Sequence, residues 1–460
     1  MTTEIEFSSL RISAQMHKAL NLLKYTQMTP IQSKVLPYIL DKKDILAQAE
    51  TGTGKTVAFG IGVLSKLDLR LQHIQGLILC PTRELAAQIS HEMRRLAIFM
   101  PNVRVLTLCG GKPFNVQVAS LERRVHIVVG TPGRILDHIQ RGTLQVTQIN
   151  TLVLDEADRM LDLGFYATIT EIIQITPKQR QTLLFSATYP KAIKKISNAL
   201  QNKPVEISLS STPAEQGISQ LFYPIKESAR DATLLALLQH YQAKSVIIFC
   251  NTKIKCAEIL NKLTKAKFTT LAIHGDLEQR EREQILIQFS NNSCTILVAT
   301  DVAARGLDID NIEIVINYEL SGSPEVHIHR IGRTGRAGNS GLALSLFVAA
   351  ERHKLQSIED YQQQPLNYGT VESLTIDPNY QPQANMVTLC LNGGKKQKLR
   401  AGDILGALTS SSNIVSKQVG KINIGDYYSY VAIERTVAPN AVIYLREHKI
   451  KGKSFKIYIV

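Results

Sequence analysis

The segment Ala49-Glu50-Thr51-Gly52-Thr53-Gly54-Lys55-Thr56 sets glycines, a lysine and a threonine between the apolar runs Ile45-Leu46-Ala47 and Val57-Ala58-Phe59. A strand, a glycine-rich turn and a helix start, in that order, point backbone N–H groups at an anion, and the helix dipole adds partial positive charge. Lys55 then reaches the outer phosphates of a nucleotide and the Thr56 hydroxyl holds Mg²⁺. The general form of this pattern opens with glycine, whereas Ala49 stands there in this chain. Asp155 and Glu156 follow the apolar Leu152-Val153-Leu154. A carboxylate at a strand end facing such a turn can hold the Mg²⁺ water shell, and its neighbour can orient or deprotonate an attacking water. Much later, His329-Arg330-Ile331-Gly332-Arg333-Thr334-Gly335-Arg336 supplies arginines with interspersed glycines. Guanidinium forks match phosphate oxygens bidentately, so this segment reads as an anion clamp. The chemistry implied is hydrolysis of a nucleoside triphosphate.

Such groups need a frame. Up to about residue 207, helical patterns alternate with short apolar runs at Leu77-Leu79, Val103-Leu106, Ile127-Val129, Leu152-Leu154 and Thr182-Phe185. Each reads as a buried parallel strand. Polar clusters follow the strands in turn: Pro81 to Ala86, Gly110-Gly111, Thr131 to Arg134, Asp155 to Asp158 and Ser186-Ala187-Thr188. Parallel sheets bind ligands at the carboxyl ends of their strands. Residues 208–218 have linker composition, and a second alternating series occupies 219–365, with strands at Val246-Phe249, Thr270-Ile273, Thr295-Val298, Ile312-Ile316 and Ala343-Phe347. It has no phosphate loop of its own. The fold class expected is α/β, two tandem doubly wound parallel-sheet domains plus a small α+β domain at the end.

The formal charge of +14 over 460 residues suggests a polyanionic partner. It is unevenly spread: residues 385–460 hold nine Lys and three Arg against two Asp and two Glu, a net +8. The six cysteines form no CxxC pair, which argues against zinc and disulfides and fits a reducing cytoplasm. No apolar run is long enough to span a bilayer, and the acidic start lacks a signal-peptide layout.

Asp155-Glu156-Ala157-Asp158 spells the name of the DEAD-box RNA helicases, and this sequence resembles that family at nearly every motif. Tyr25-Thr26-Gln27-Met28-Thr29-Pro30-Ile31-Gln32 resembles its adenine-reading Q motif (residues 5–33), with Lys24 in place of the usual glycine. The Ala49 start of the phosphate loop is normal for this family. The resemblance implies that the two parallel-sheet domains are RecA-like, that Gln32 reads adenine and that Phe7 stacks on the base. It assigns Thr82, Arg83, Gly111, Thr131 and Arg134 to the backbone of one RNA strand, where amides, hydroxyls and guanidiniums contact phosphates without reading bases. Ser186 and Thr188 link the ATP and RNA sites. In the second domain it makes Arg333 and Arg336 arginine fingers, sets Asp308 on the ribose and gives His329 a coupling role. Gly275, Gln279, Arg282 and Thr300 are further RNA contacts. RNA spanning both domains favours their closure over ATP·Mg²⁺, which makes an RNA-stimulated ATPase that separates strands locally. An ATP-gated RNA clamp or chaperone without productive unwinding, and a DNA helicase, are the rival readings. Intact Lys55, Glu156, Arg333 and Arg336 favour turnover.

Residues 366–384 read as a second linker. The tail, 385–460, reads Val387-Leu391 strand, Ala401-Thr409 helix, Val419-Ile424 and Tyr428-Ile433 strands, Pro439-His448 helix and Ser454-Val460 strand. This βαββαβ order fits an RNA-recognition-motif (RRM) fold. Tyr428 and Tyr430 could stack bases, but Thr388 stands where the first strand should offer an aromatic. The other candidate surface is basic: Lys395, Lys396, Lys398 and Arg400, with Lys449, Lys451 and Lys453. Asn392 to Leu408 and Lys449 to Lys453 resemble the RNA-binding tail of a bacterial branch of the family. That branch is directed to a hairpin of 23S ribosomal RNA in the peptidyl-transferase region. The resemblance implies action on 23S rRNA in pre-50S particles during ribosome biogenesis; the cysteines fit a cytoplasmic protein, and as no segment suggests an oligomer, a monomer is expected.

Overall fold

The computed structural model describes residues 5–49, 52–188, 191–209, 217–301, 312–335, 340–377, 380, 383–410 and 414–460. Glu50, Thr51, Asp308 and Arg336 lie outside them, as does most of the expected first linker. The described residues fall into two compact units, one within 1–211 and one within 212–460.

The first unit is built on seven strands: β1 (Ile45–Gln48), β2 (Gly76–Leu79), β3 (Val105–Leu108), β4 (Ile127–Gly130), β5 (Thr151–Leu154), β6 (Gln181–Ser186) and β7 (Val205–Ser208). All pair in parallel, in the order β3-β4-β2-β5-β6-β1-β7. Successive side chains on a strand point to opposite faces, so a sheet buried on both sides must be apolar at every position. Ile78, Val129, Val153 and Phe185 pack on one face with Val35, Phe59 and Ile89. Leu77, Leu79, Val128, Leu152 and Leu184 pack on the other with Ile135, Met160 and Ile172. Because every strand runs the same way, the segments after β1, β2, β3, β4, β5 and β6 all emerge on one rim.

The second unit holds two sheets. Six parallel strands, β8 (Ile218–Pro224), β9 (Val246–Cys250), β10 (Thr270–Ile273), β11 (Ile296–Thr300), β12 (Ile314–Asn317) and β13 (Gly341–Phe347), lie in the order β10-β11-β9-β12-β13-β8. The tail forms four antiparallel strands, β14 (Met386–Leu391), β15 (Val419–Ile424), β16 (Ser429–Glu434) and β17 (Ile457–Ile459), in the order β15-β16-β14-β17. The helices Ala401–Thr409 and Ala438–Glu447 cover one face through Ile404, Leu408, Ala441 and Leu445.

Most strand positions read from the sequence stand within two residues of those observed. Neither β7 nor β8 is expected from the sequence pattern, and β8 opens where linker composition ends. All six cysteines are buried and unpaired. Among the described residues no helix is long and apolar enough to cross a membrane.

Candidate functional site

The phosphate loop after β1 runs into the helix Lys55–Ser65, whose N-cap, Gly54, is left-handed at φ +94°. A Cβ at Gly54 would lie 2.4 Å from Gln32 Nε2, so glycine is required both by the backbone conformation and by this approach. Gln32 Nε2 donates to Gly54 O (3.0 Å), and Gln32 Oε1 accepts from Thr29 N (2.8 Å). Thr29 caps the helix Pro30–Leu40, and its hydroxyl donates to Thr53 O at 2.7 Å. The Q-motif segment therefore clamps the phosphate loop directly, a role that its sequence did not announce. Phe7 is only 2% exposed and packs beside Tyr25, ring centroids 6.4 Å apart. A base stacking on Phe7 has to displace part of that packing. Tyr25 donates its hydroxyl to Glu92 Oε1 at 3.0 Å.

Lys55 Nζ donates to Ala49 O at 2.6 Å, folded back over the loop it serves. Asp155, after β5, is buried, and burial raises its carboxyl from 3.8 to about 6 against the opposing pull of Lys55. Its Oδ1 accepts from Glu156 N at 3.0 Å. Glu156 has φ +52°, rare for a side chain larger than Asn, and pairs with the buried Arg159 (Nη1 to Oε2, 3.3 Å). Strain of this kind is held only where the surroundings enforce it.

Asp158, to which the sequence assigns no separate role, gathers the neighbouring turn. Its Oδ2 accepts from Ala187 N (3.1 Å), Thr188 N (2.9 Å) and Thr188 Oγ1 (2.9 Å). Ser186 Oγ donates to Thr188 O at 2.7 Å. The carboxylate cluster after β5 and the Ser-Ala-Thr turn after β6 are thus one hydrogen-bonded body. A four-letter acidic motif suggests an acid, but only the structure shows which donors it gathers.

Along the same rim, Thr82 caps the helix Arg83–Leu96 by accepting from Leu85 N, and the Arg83 guanidinium lies against Gly110. Gly111 is left-handed at φ +81°. Arg134, in the helix Pro132–Gln140 that starts after Thr131, donates to Lys112 O at 3.1 Å. Beneath these loops, Gln117 donates to Cys109 O (2.8 Å) and its Oε1 meets Nε2 of the fully buried His138 (3.0 Å). Burial lowers the pKa of His138. The five backbone-contact candidates of this domain therefore sit on three loops braced against one another.

In the second domain, Thr300 closes β11 and Gly275 follows β10, while Gln279 and Arg282 lie on the helix Gln279–Ser290. His329 is half-buried on the helix Pro324–Ile331, and Arg333 is 4% exposed just beyond it. Arg330 organises this rim. It forms a fork with Asp301 (2.6 and 2.8 Å) and donates to Asn251 Oδ1 (2.9 Å), Asn317 Oδ1 (3.2 Å) and Glu319 O (2.7 Å). It is 2% exposed.

The tail's open sheet face is covered. Thr388 is fully buried, its hydroxyl 2.7 Å from Ser293 Oγ and accepting from Asn291 Nδ2 at 3.2 Å. Lys421 Nζ donates to Ser290 Oγ at 3.4 Å, and the Arg280 guanidinium lies 4.2 Å from the Tyr428 ring centroid. Tyr430 is 7% exposed. This packing corrects the expectation that Tyr428 and Tyr430 offer stacking platforms: one ring is occupied by an arginine and the other is buried. Lys395, Lys396, Lys398, Arg400, Lys449, Lys451 and Lys453 are all exposed. Lys451 joins the two basic loops through Lys398 O and Asp403 Oδ2, both at 3.4 Å.

Comparison with known proteins follows this division. The DEAD/DEAH box helicase family matches residues 29–196, the helicase conserved C-terminal domain matches 229–338, and the DbpA RNA binding domain matches 388–459. The ATP-dependent RNA helicase DbpA of Escherichia coli (strain K12) is 49% identical over 441 residues, 96% of each chain. Its counterpart in Bacillus subtilis (strain 168) is 35% identical over 98% of each chain. The structure of Saccharomyces cerevisiae Dbp5 bound to RNA and ADP BeF3 is similar with a TM-score of 0.74 at 29% identity, covering 80% of this chain and 96% of that one.

Proposed function

The chain belongs to the DEAD-box ATP-dependent RNA helicases of the DbpA type, and from that membership we propose that it remodels 23S ribosomal RNA during assembly of the large ribosomal subunit. The observation that carries this reading is the tail: its sheet face is spent on the second domain, and its exposed basic loops remain to address an RNA.

Mg²⁺ suits the donors this chain presents. Asp155 is a buried carboxylate whose ionisation is disfavoured, and Thr56 stands in the first turn of the helix after the phosphate loop. When bound, the ion shields the phosphate charge and polarises the bond that breaks. Lys55 exchanges its bond to Ala49 O for the outer phosphates of ATP. Glu156 orients the attacking water, and Gln32 reads the adenine edge while keeping the phosphate loop in place. Arg333 and Arg336 complete the charge stabilisation when the two parallel-sheet domains close, with Asp308 at the ribose and His329 coupling the step to RNA. Thr82, Arg83, Gly111, Thr131 and Arg134, with Gly275, Gln279, Arg282 and Thr300, hold one RNA strand by its backbone. Asp158 transmits the state of the ATP site to Ser186 and Thr188.

The test is steady-state ATPase of the full chain with no RNA, an unrelated RNA, and a 23S fragment carrying the peptidyl-transferase hairpin. It is repeated on a Lys395→Ala/Lys396→Ala/Lys398→Ala variant. Strong stimulation by the 23S fragment alone, lost in the variant, supports ribosomal targeting by the tail. Equal stimulation by every RNA in both proteins refutes it while leaving an RNA-dependent ATPase.

A further inference from the structure

Six cations line one cleft of about 840 Å³ in the first domain: Lys42, Lys43, Lys66, Lys178, Arg180 and Lys203. The cleft lies at the amino ends of the strands, since Asp44 precedes β1, Asn150 precedes β5 and Gln181 opens β6. The helix Lys55–Ser65 separates it from the phosphate loop, a rise of roughly 16 Å. The nucleotide and the strand held by the rim motifs therefore leave it free.

Its charge is poorly compensated. The one carboxylate in the lining, Asp44, is buried and spends Oδ1 on Thr182 N and Oδ2 on Asn202 N, each at 2.7 Å. Lys66 is half-buried beside Lys42, and burial together with that neighbour pulls its ammonium down to about 8. Its Nζ donates to Gln181 Oε1. Arg180 Nε is buried without a hydrogen-bond partner. An anion entering here relieves repulsion that the protein alone leaves standing.

The remaining lining is Ser, Asn and Gln, with Leu200 and no aromatic ring. Pockets for small organic ligands are mostly apolar, and grooves for unpaired strands carry aromatic platforms for the bases. Lys, Arg, Ser, Asn and Gln together are the side chains that contact phosphate and sugar. We propose that this cleft is a second RNA site, which grips the phosphate backbone of duplex RNA without reading its sequence, away from the strand being remodelled.

The test uses the full chain with Lys42→Glu/Lys178→Glu/Lys203→Glu, all exposed positions, and a control of equal charge change, Lys244→Glu/Lys265→Glu/Lys267→Glu. Binding to a duplex-bearing RNA and to a short single strand is followed by fluorescence anisotropy across a salt series. The expected result is about tenfold weaker duplex binding at low salt, and a slope of log affinity against log salt shallower by roughly two to three. Stimulation of ATPase by the short strand stays unchanged, and a scrambled duplex behaves like the original. The proposal is overturned if the cleft variant binds duplex like the wild type, or if the control loses as much. It is equally overturned if the variant loses only inorganic polyphosphate and keeps RNA.

Discussion

Asp158 holds Thr188 twice, through the backbone N–H and through the hydroxyl, each at 2.9 Å, although the two residues are thirty apart in sequence. Asp158 lies in the first turn of the helix Ala157–Asp162 that follows β5, and Thr188 in the turn after the adjacent β6, so a change in one is felt in the other. Hydrogen bonds to a charged acceptor contribute about 1.5–3 kcal/mol each. Asp158→Asn keeps the shape but removes the charge. We expect RNA-stimulated strand displacement to fall roughly tenfold or more, with ATP affinity changed by less than about threefold. Parallel displacement and nucleotide-binding assays check this, and an equal loss in both contradicts the linking role.

Asp155 carries a pH signature. Its folded pKa is raised from 3.8 to about 6 by burial, so its favourable contribution is complete below about pH 4 and is lost as pH rises through 6. Asp155→Asn removes that loss, worth on the order of 2–3 kcal/mol at neutral pH. Without nucleotide, the variant should melt several degrees above the wild type at pH 7.5, with the gap closing as pH falls from about 6 to about 4. A pH-independent gap in melting scans rejects this account. ATPase activity should be lost at every pH.

Arg330 is a buried cation with five oxygen contacts. Removing one side of a buried pair leaves the other uncompensated, at a cost of about 3–5 kcal/mol. Arg330→Ala should lower the denaturant midpoint of the second unit and leave nucleotide binding by the first unit near normal. Arg330→Lys, which cannot fork onto Asp301, should recover only part of it. Unchanged unfolding in either variant argues against a structural hub.

Thr388 is the obvious place to restore an aromatic to the tail. In this structure that position has no room, because Ser293 and Asn291 already cover it. Thr388→Phe should destabilise by about 1–3 kcal/mol through overpacking and should not tighten RNA binding. Hydrogen exchange at residues 290–295 should rise. Tighter RNA binding with unchanged exchange would show the face to be open.

The parallel sheets were legible because buried strands such as Leu77–Leu79 and Ile247–Phe249 are apolar at every position. β8 was hidden by its own polar residues: Gln220 is satisfied by His327 Nε2 at 3.0 Å and by Gln362, partners far away in sequence. The apolar pattern starts the third strand two residues early, at Val103, whereas Asn102 turns left-handed at φ +61° and the ladder begins only at Val105. Motif residues could be placed on a rim from spacing alone. What escaped was support and cover: Gln32 bracing Gly54, Asp158 gathering Thr188, and Asn291 and Ser293 covering Thr388. A one-dimensional pattern names donors and acceptors but not the partner that claims them.

The helix Gln279–Ser290 carries Gln279 and Arg282 along with Arg280, which rests on the tail's Tyr428, and its end presents Ser290 to Lys421. The tail is therefore not a portable cassette. A chimera grafting residues 385–460 onto a foreign motor must also transplant Arg280, Ser290, Asn291 and Ser293, or the grafted domain will arrive without its seat.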